Sequence, residues 1–360
     1  MKHTDTLMWK EINEVPGVFS KILESNKEVM DALVTAIKNG KATNFVAAAR
    51  GASDHAMVFF KYVLEINSDY TVSLSAPSVI TLYKGKVNYA NSVVIGCSES
   101  GKAEDVLEVL KKANEQGAIT IGVTNDQQSP IAKESKYHLF CNAGKEYGVV
   151  ATKSFHAQMF LLLWLAAEVS GKRKILRRLD ALVNEFTPVF EQVDFLTNVY
   201  AEKFKNTTGG FVISRGLTYA VALETALILQ ETCYMQMKGY AGSDFYHGPV
   251  ALVGENTPVI IFCAKHYGDE EMQSILRADQ IKCIEKVLLL KAPVLLVTND
   301  CVLTGKFSKC NDALINFSES EEISIFAFAL FAQMMACKMA CLAGNNPDNP
   351  RALEQTTITK

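Results

Sequence analysis

A chain of 360 residues is long enough for two domains of ordinary size. Apolar residues at 49% and charged residues at 21% fit a well-packed globule and exclude a disordered or fibrous chain. A net charge of −3 excludes the basic surplus that a sequence-independent nucleic-acid binder needs, while leaving room for a local cationic pocket.

The first residues, MKHTDTLMWKEINE, hold no apolar core of signal-peptide length. The first strand is expected at 44–49. It ends in Arg50 and Gly51, and Ala52 and Ser53 continue a small-residue turn. Further strands are expected at 71–75, 92–97, 119–124 and 137–141, with helical stretches between them. One of these, Ala103 to Gln116, carries Val106, Leu107, Val109 and Leu110 on one face. Continuous apolar strands alternating with helices predict a parallel sheet covered on both faces.

Between the strand at 92–97 and that helix stand Ser98, Glu99, Ser100 and Gly101. In a doubly wound sheet, ligands bind beyond the carboxyl ends of the strands. Small residues and hydroxyls at the mouth of a helix offer backbone N–H groups, extra donors and close approach, a set that suits a phosphate. An ordinary helix cap is the other reading of the same serines. The turn Gly51, Ala52, Ser53 after the neighbouring strand would face the same crevice.

From Lys172 to Phe204 the chain reads as a helical connector. Strands then recur near 210–214, 258–263, 293–298 and 313–317. The pattern of the first half repeats: an apolar strand ending in Arg50-Gly51 returns as one ending in Arg215-Gly216, and VTND at 123–126 returns at 297–300. The fold class is therefore α/β, two doubly wound parallel-sheet domains in tandem, with domains at 1–171 and 205–345, the connector at 172–204, and a tail at 346–360. Two stretches are apolar enough to raise the membrane question. Met159 to Ala167 is too short to span, and Ile323 to Leu342, broken by Gln333 and Lys338, reads as a buried helix.

Nine cysteines without a Cys-x-x-Cys pair suggest reduced thiols and a cytoplasmic protein. No metal or nucleotide cofactor is expected, because no GxGxxG, GxxxxGK or metal-ligand spacing occurs. His247 sits in a loop bounded by Gly and Pro, where a histidine is a functional candidate. His55, His138 and His156 read as structural or surface residues.

The segments ARGASDHA, CSESGKAEDVLEVLKKA, NAGKEYGVVATKSF and ALETALILQETCYMQMKGYAGSDFYHGPVALV together resemble the sugar isomerase (SIS) domain pair. The likeness runs from about residue 8 to Lys360. It is greatest to the isomerase half of glucosamine-6-phosphate synthase and to stand-alone phosphosugar isomerases, amino-sugar-phosphate deaminases and deglycases. It implies flavodoxin-like SIS domains and an enzyme acting on a sugar or amino-sugar 6-phosphate by enolisation between C1 and C2. A deaminase or deglycase of the fructosamine 6-phosphate type, or a phosphosugar sensor without catalysis, is the alternative.

By resemblance Glu231, on a helix expected at Ala222 to Tyr234, matches the carboxylate that shuttles the proton. His247 matches the histidine that opens the sugar ring, contributed across the interface of a homodimer. Gly51, Ala52, Ser53, Ser98, Glu99, Ser100, Gly101, Ala103, Val149, Ala151, Lys153 and Gln355 match positions that line the sugar-phosphate pocket. This chain departs from the family in several places: Glu99 stands for glutamine, Ala103 for threonine, Ala151 for serine, and Ile228 and Gln355 for lysines. A Schiff base at those last two positions is not expected. Neither is glutaminase activity, since no glutaminase domain with its cysteine precedes the SIS pair. No nucleic-acid or membrane partner is implied.

Overall fold

The computed structural model describes residues 1–354, so Gln355 lies outside the described residues. The chain divides into two compact units. One holds Asn13–Val183; the other joins Met1–Ile12 to Asn184–Arg351.

In the first unit five strands, β1 (Asn44–Ala48), β2 (Thr71–Leu74), β3 (Ser92–Cys97), β4 (Ile119–Thr124) and β5 (Tyr137–Phe140), form a parallel sheet in the order β2-β1-β3-β4-β5. Phe45 of β1 pairs with Val72 on one side and Val93 on the other. All six residues of β3 are buried, which is why this strand reads as an unbroken apolar run. Helix Glu104–Glu115 packs Val106, Val109 and Leu110 onto Val46 and Val94 on one face of the sheet. Helices Gly51–Asn67 and Lys153–Ser170 pack against each other.

The second unit repeats the plan. Its strands β6 (Gly209–Ser214), β7 (Gln236–Ala241), β8 (Val259–Cys263), β9 (Val294–Thr298) and β10 (Asn311–Leu314) are parallel and ordered β7-β6-β8-β9-β10. This is the strand order of the first sheet. Both Arg-Gly turns keep their geometry: Gly51 and Gly216 take φ of +53° and +69°, a left-handed conformation in which a side chain would be strained. Arg50 pairs with Asp105, and Arg215 with Asp279.

The sequence reading has no counterpart to β7. The strand lies at the sheet edge, and Gln236 and Lys238 point to solvent, so its apolar content is too low to register. Residues 240 and 241, just ahead of the loop that carries His247, are therefore the end of a strand. The predicted connector is two helices, Arg173–Glu185 and Thr187–Phe204.

Residues 1–12, which the sequence reading puts in the first domain, group with the second unit. Asp348 accepts hydrogen bonds from the amides of Leu7 and Met8, both at 2.8 Å, and Thr6 Oγ1 meets Cys337 Sγ at 3.4 Å. Helix Glu321–Leu342 is the one described helix long and apolar enough to cross a membrane, yet 89% of its most apolar window is buried inside the protein. It packs on Thr187–Phe204 and Tyr219–Cys233, the setting of a core helix.

Candidate functional site

Strand order reverses between β1 and β3, so the helices leaving these two strands diverge and open a crevice at the carboxyl edge of the first sheet. Two turns border it. Gly51, Ala52 and Ser53 form the first turn of helix Gly51–Asn67, with Ser53 buried. Ser98 to Gly101 follow β3 as a separate turn, and the helix itself starts only at Glu104, capped by Ala103. The serines therefore lie ahead of the helix rather than in its first turn.

The turn is fastened on three sides. Ser98 N donates to Val123 O at 3.1 Å, Asn125 N donates to Glu99 O at 2.8 Å, and Ile131 N donates to Gly101 O at 3.1 Å. Gly101 takes φ +64°, and a Cβ there would stand 2.1 Å from Ser129 Oγ, so only glycine fits. Within the turn, Ser98 Oγ accepts from Gly101 N at 3.2 Å and Ser100 Oγ from Lys102 N at 3.3 Å. The amides of Glu99 and Ser100 have no acceptor among the described residues. Two free amides beside two hydroxyls can bind a tetrahedral anion.

Next to the turn a cleft of about 560 Å³ opens, lined by Glu99, Ser100, Lys102, Asn125, Asp126 and Glu146 among others. Burial pushes the Glu99 carboxyl above its ordinary range, and the charges of Glu146 and Asp126 add to the shift. Asn125 organises the rim: its Nδ2 donates to Glu99 Oε1 at 3.3 Å and to Gly144 O at 2.7 Å, while its Oδ1 accepts from Ala143 N at 3.0 Å.

Val149 and Ala151 are half-buried in the segment between β5 and helix Lys153–Ser170. Glu146 holds that segment, accepting from Thr152 N at 2.9 Å and Thr152 Oγ1 at 2.8 Å, and from the Ser154 hydroxyl. Lys153 is buried and engaged: its Nζ donates to Glu14 Oε2 at 2.6 Å and to Lys145 O at 2.8 Å. Neither Glu14 nor Asn125 figures among the residues expected from sequence, because each works through partners many residues away.

In the second unit, Glu231 lies on helix Tyr219–Cys233. It is half-buried and has no hydrogen-bond partner among the described residues. Burial, reinforced by Glu224 two turns earlier, raises its pKa to about 8. A carboxylate so placed exchanges protons near neutral pH, as a general base must. Ile228, one turn before Glu231, is fully buried. His247 is exposed in the turn after helix Gly242–Phe245, its amide bonded to Asp244 O at 3.0 Å, and is followed by Gly248 at φ +152°.

The crevice between β6 and β8, equivalent by strand order to that between β1 and β3, is nearly closed. About 20 Å³ remains among Ser214, Arg215, Tyr246 and Cys283, and Ser214 donates its hydroxyl inward to Phe262 O at 2.9 Å.

The SIS domain family model matches the chain twice, over residues 41–168 and 210–343. A glutamine–fructose-6-phosphate aminotransferase of Aquifex aeolicus is 31% identical over 98% of this chain. The chain spans 58% of that relative's length. Among solved structures, the C-terminal domain of glucosamine-fructose-6-phosphate aminotransferase from Francisella tularensis superposes with a TM-score of 0.81 and 23% identity, covering 96% of this chain and 98% of that one. A glucosamine-6-phosphate deaminase from Thermotoga maritima superposes with a TM-score of 0.74 and 23% identity, covering 98% and 100%. Two matched segments, one in each unit and each carrying a five-stranded parallel sheet, establish that the chain belongs to the SIS domain family.

Proposed function

We propose that this protein is a phosphosugar isomerase-type enzyme that enolises a sugar or amino-sugar 6-phosphate between C1 and C2. The observation that carries the reading is Glu231, a half-buried carboxylate without a hydrogen-bond partner among the described residues and with a pKa of about 8. In the ketose-forming direction, a Glu231 oxygen takes the proton from C2 of the open-chain aldose. The C2 electron pair forms the C1–C2 double bond, and the C1 carbonyl oxygen picks up a proton to give the enediol. Glu231 then returns its proton to C1 as the C2 oxygen becomes the carbonyl. His247 opens the sugar ring by proton transfer at the ring oxygen, from the partner subunit of a homodimer. The phosphate is held by the amides of Glu99 and Ser100 and the hydroxyls of Ser53, Ser98 and Ser100, bordered by Gly51, Ala52, Gly101, Ala103, Val149 and Ala151. Lys153 contributes positive charge nearby; Gln355, which matches a pocket position by resemblance, lies outside the described residues. The setting is the cytoplasm.

A second reading, a deaminase or deglycase, is favoured by Ile228. By the family resemblance Ile228 stands at a lysine position, and a fully buried isoleucine forms no imine there, which fits chemistry run through the substrate's own amine. Both readings share the enolisation step. Incubation in D2O with fructose 6-phosphate, glucose 6-phosphate, glucosamine 6-phosphate and a fructosamine 6-phosphate tests it, with proton NMR following loss of the C1 and C2 signals. Deuterium wash-in is expected for at least one of them. Binding of these compounds without any exchange would refute enolisation and leave a sensor; released amine would select the second reading.

A further inference from the structure

Helix Lys153–Ser170 is buried around almost its whole circumference, and most of the side chains it buries are apolar. Gln158 is an exception, 1% exposed. Its Oε1 is buried with no hydrogen-bond partner, and its Nε2 donates to Ser53 Oγ at 3.0 Å. A buried acceptor left unpaired is destabilising, so an apolar residue of the same size would make a more stable helix pair. Stability therefore does not account for the glutamine; its hydrogen bond to Ser53 does.

That bond decides what Ser53 can do. A serine hydroxyl has one proton to give and two lone pairs to fill. Ser53 Oγ accepts from Gln158, so its own proton is free to be given elsewhere. The other protein partner of Ser53 is Cys97 Sγ, a weak acceptor. Ser53 lies in the first turn of helix Gly51–Asn67, and the adjacent β3 leads directly into the Ser98–Gly101 turn. We infer that Gln158 is a positioning residue which, by donating to Ser53 Oγ, commits the Ser53 proton to an anionic oxygen bound at the switch point between β1 and β3. The inference rests on the phosphate-binding part of the proposed function and adds to it the group that sets the donor's direction.

The test compares three side chains at one position. Methionine keeps the length of glutamine and neither donates nor accepts appreciably; an ionised glutamate can only accept and would take the Ser53 proton for itself. Calorimetric titration with inorganic phosphate and with fructose 6-phosphate should rank affinity as parent, then Gln158→Met weaker by about five- to tenfold, then Gln158→Glu weaker still. Ser53→Ala should weaken binding comparably, and adding Gln158→Met to it should cost less than a further twofold. The melting temperature of Gln158→Met should equal or exceed the parent's, since the orphan acceptor is gone. Parent-like binding by Gln158→Met, full additivity with Ser53→Ala, or a marked drop in its melting temperature would each overturn the inference and leave the phosphate reading standing. Absence of binding by the parent itself would overturn the phosphate reading, and the inference with it.

Discussion

Glu231 makes a prediction in which activity and stability move in opposite directions. Its carboxyl has an ordinary pKa of 4.5 and a folded value of about 8, raised by burial and by Glu224. Between these values the folded chain holds a proton that the unfolded chain has released. Stability is therefore fully present below about pH 4.5 and falls as pH rises to about 8, after which it levels off. At about 1.4 kcal/mol per pKa unit the full span amounts to several kcal/mol, and for a group that keeps some contact with water we expect a realised loss on the order of 2–4 kcal/mol.

Glu231→Gln replaces the protonated acid by a neutral isostere that cannot ionise. Urea unfolding followed by circular dichroism should give nearly equal midpoints for parent and variant at pH 4, and a higher midpoint for the variant at pH 8.5. Deuterium wash-in by the same variant should fall by about 10²–10⁴-fold. In the parent, about a tenth of the Glu231 side chains are ionised at pH 7, so wash-in should rise with pH toward a plateau above 8. Unchanged wash-in would refute the base assignment, and a variant whose gain over the parent is no larger at pH 8.5 than at pH 4 would refute the raised pKa.

Other perturbations test the remaining parts. Ser98→Ala/Ser100→Ala should abolish the rise in melting temperature that hexose 6-phosphates give the parent; an intact rise would make the turn a helix cap only. Glu99→Gln should tighten phosphate binding several-fold, and more at the higher of two pH values than at the lower, because raising the pH ionises the Glu99 acid, which then repels the anion. Titration calorimetry at the two pH values would show it. Gly101→Ala should cost about 1–3 kcal/mol of stability in urea unfolding and weaken phosphate binding, since it combines φ +64° with a Cβ driven into Ser129. Lys153→Met should lower the melting temperature without changing the KM for sugar phosphate if the pair with Glu14 is its whole role; a raised KM would make it a ligand of the substrate.

What could be read in advance follows from how each feature is encoded. The strand β3 is an apolar run buried on both faces, and the two Arg-Gly turns need a left-handed residue, so both are written in consecutive letters. The edge strand β7 alternates polar and apolar residues and looks like part of a loop. Gln158 sits inside an apolar helix with its partner 105 residues away, and Lys153 meets Glu14 across 139 residues. Pairings of that kind carry no local pattern. The pKa of Glu231 was equally hidden, since it depends on how deeply one face of a helix is covered, not on the residues beside it in the chain.

The nearly closed crevice of the second sheet has a consequence for how this protein can change. A fold present twice begins with two equivalent clefts, and here about 20 Å³ remains of one while the Ser98–Gly101 turn equips the other. With about 20 Å³ left, the filled crevice has no room for a sugar phosphate. Ser214, Tyr246 and Cys283 answer to internal packing and to inward hydrogen bonds such as that from Ser214 to Phe262 O, whereas each residue of the Ser98–Gly101 turn answers to both geometry and charge. Divergence between the two copies should accumulate at the filled crevice first, and a designer seeking a place for a second ligand could reopen it by trimming those side chains.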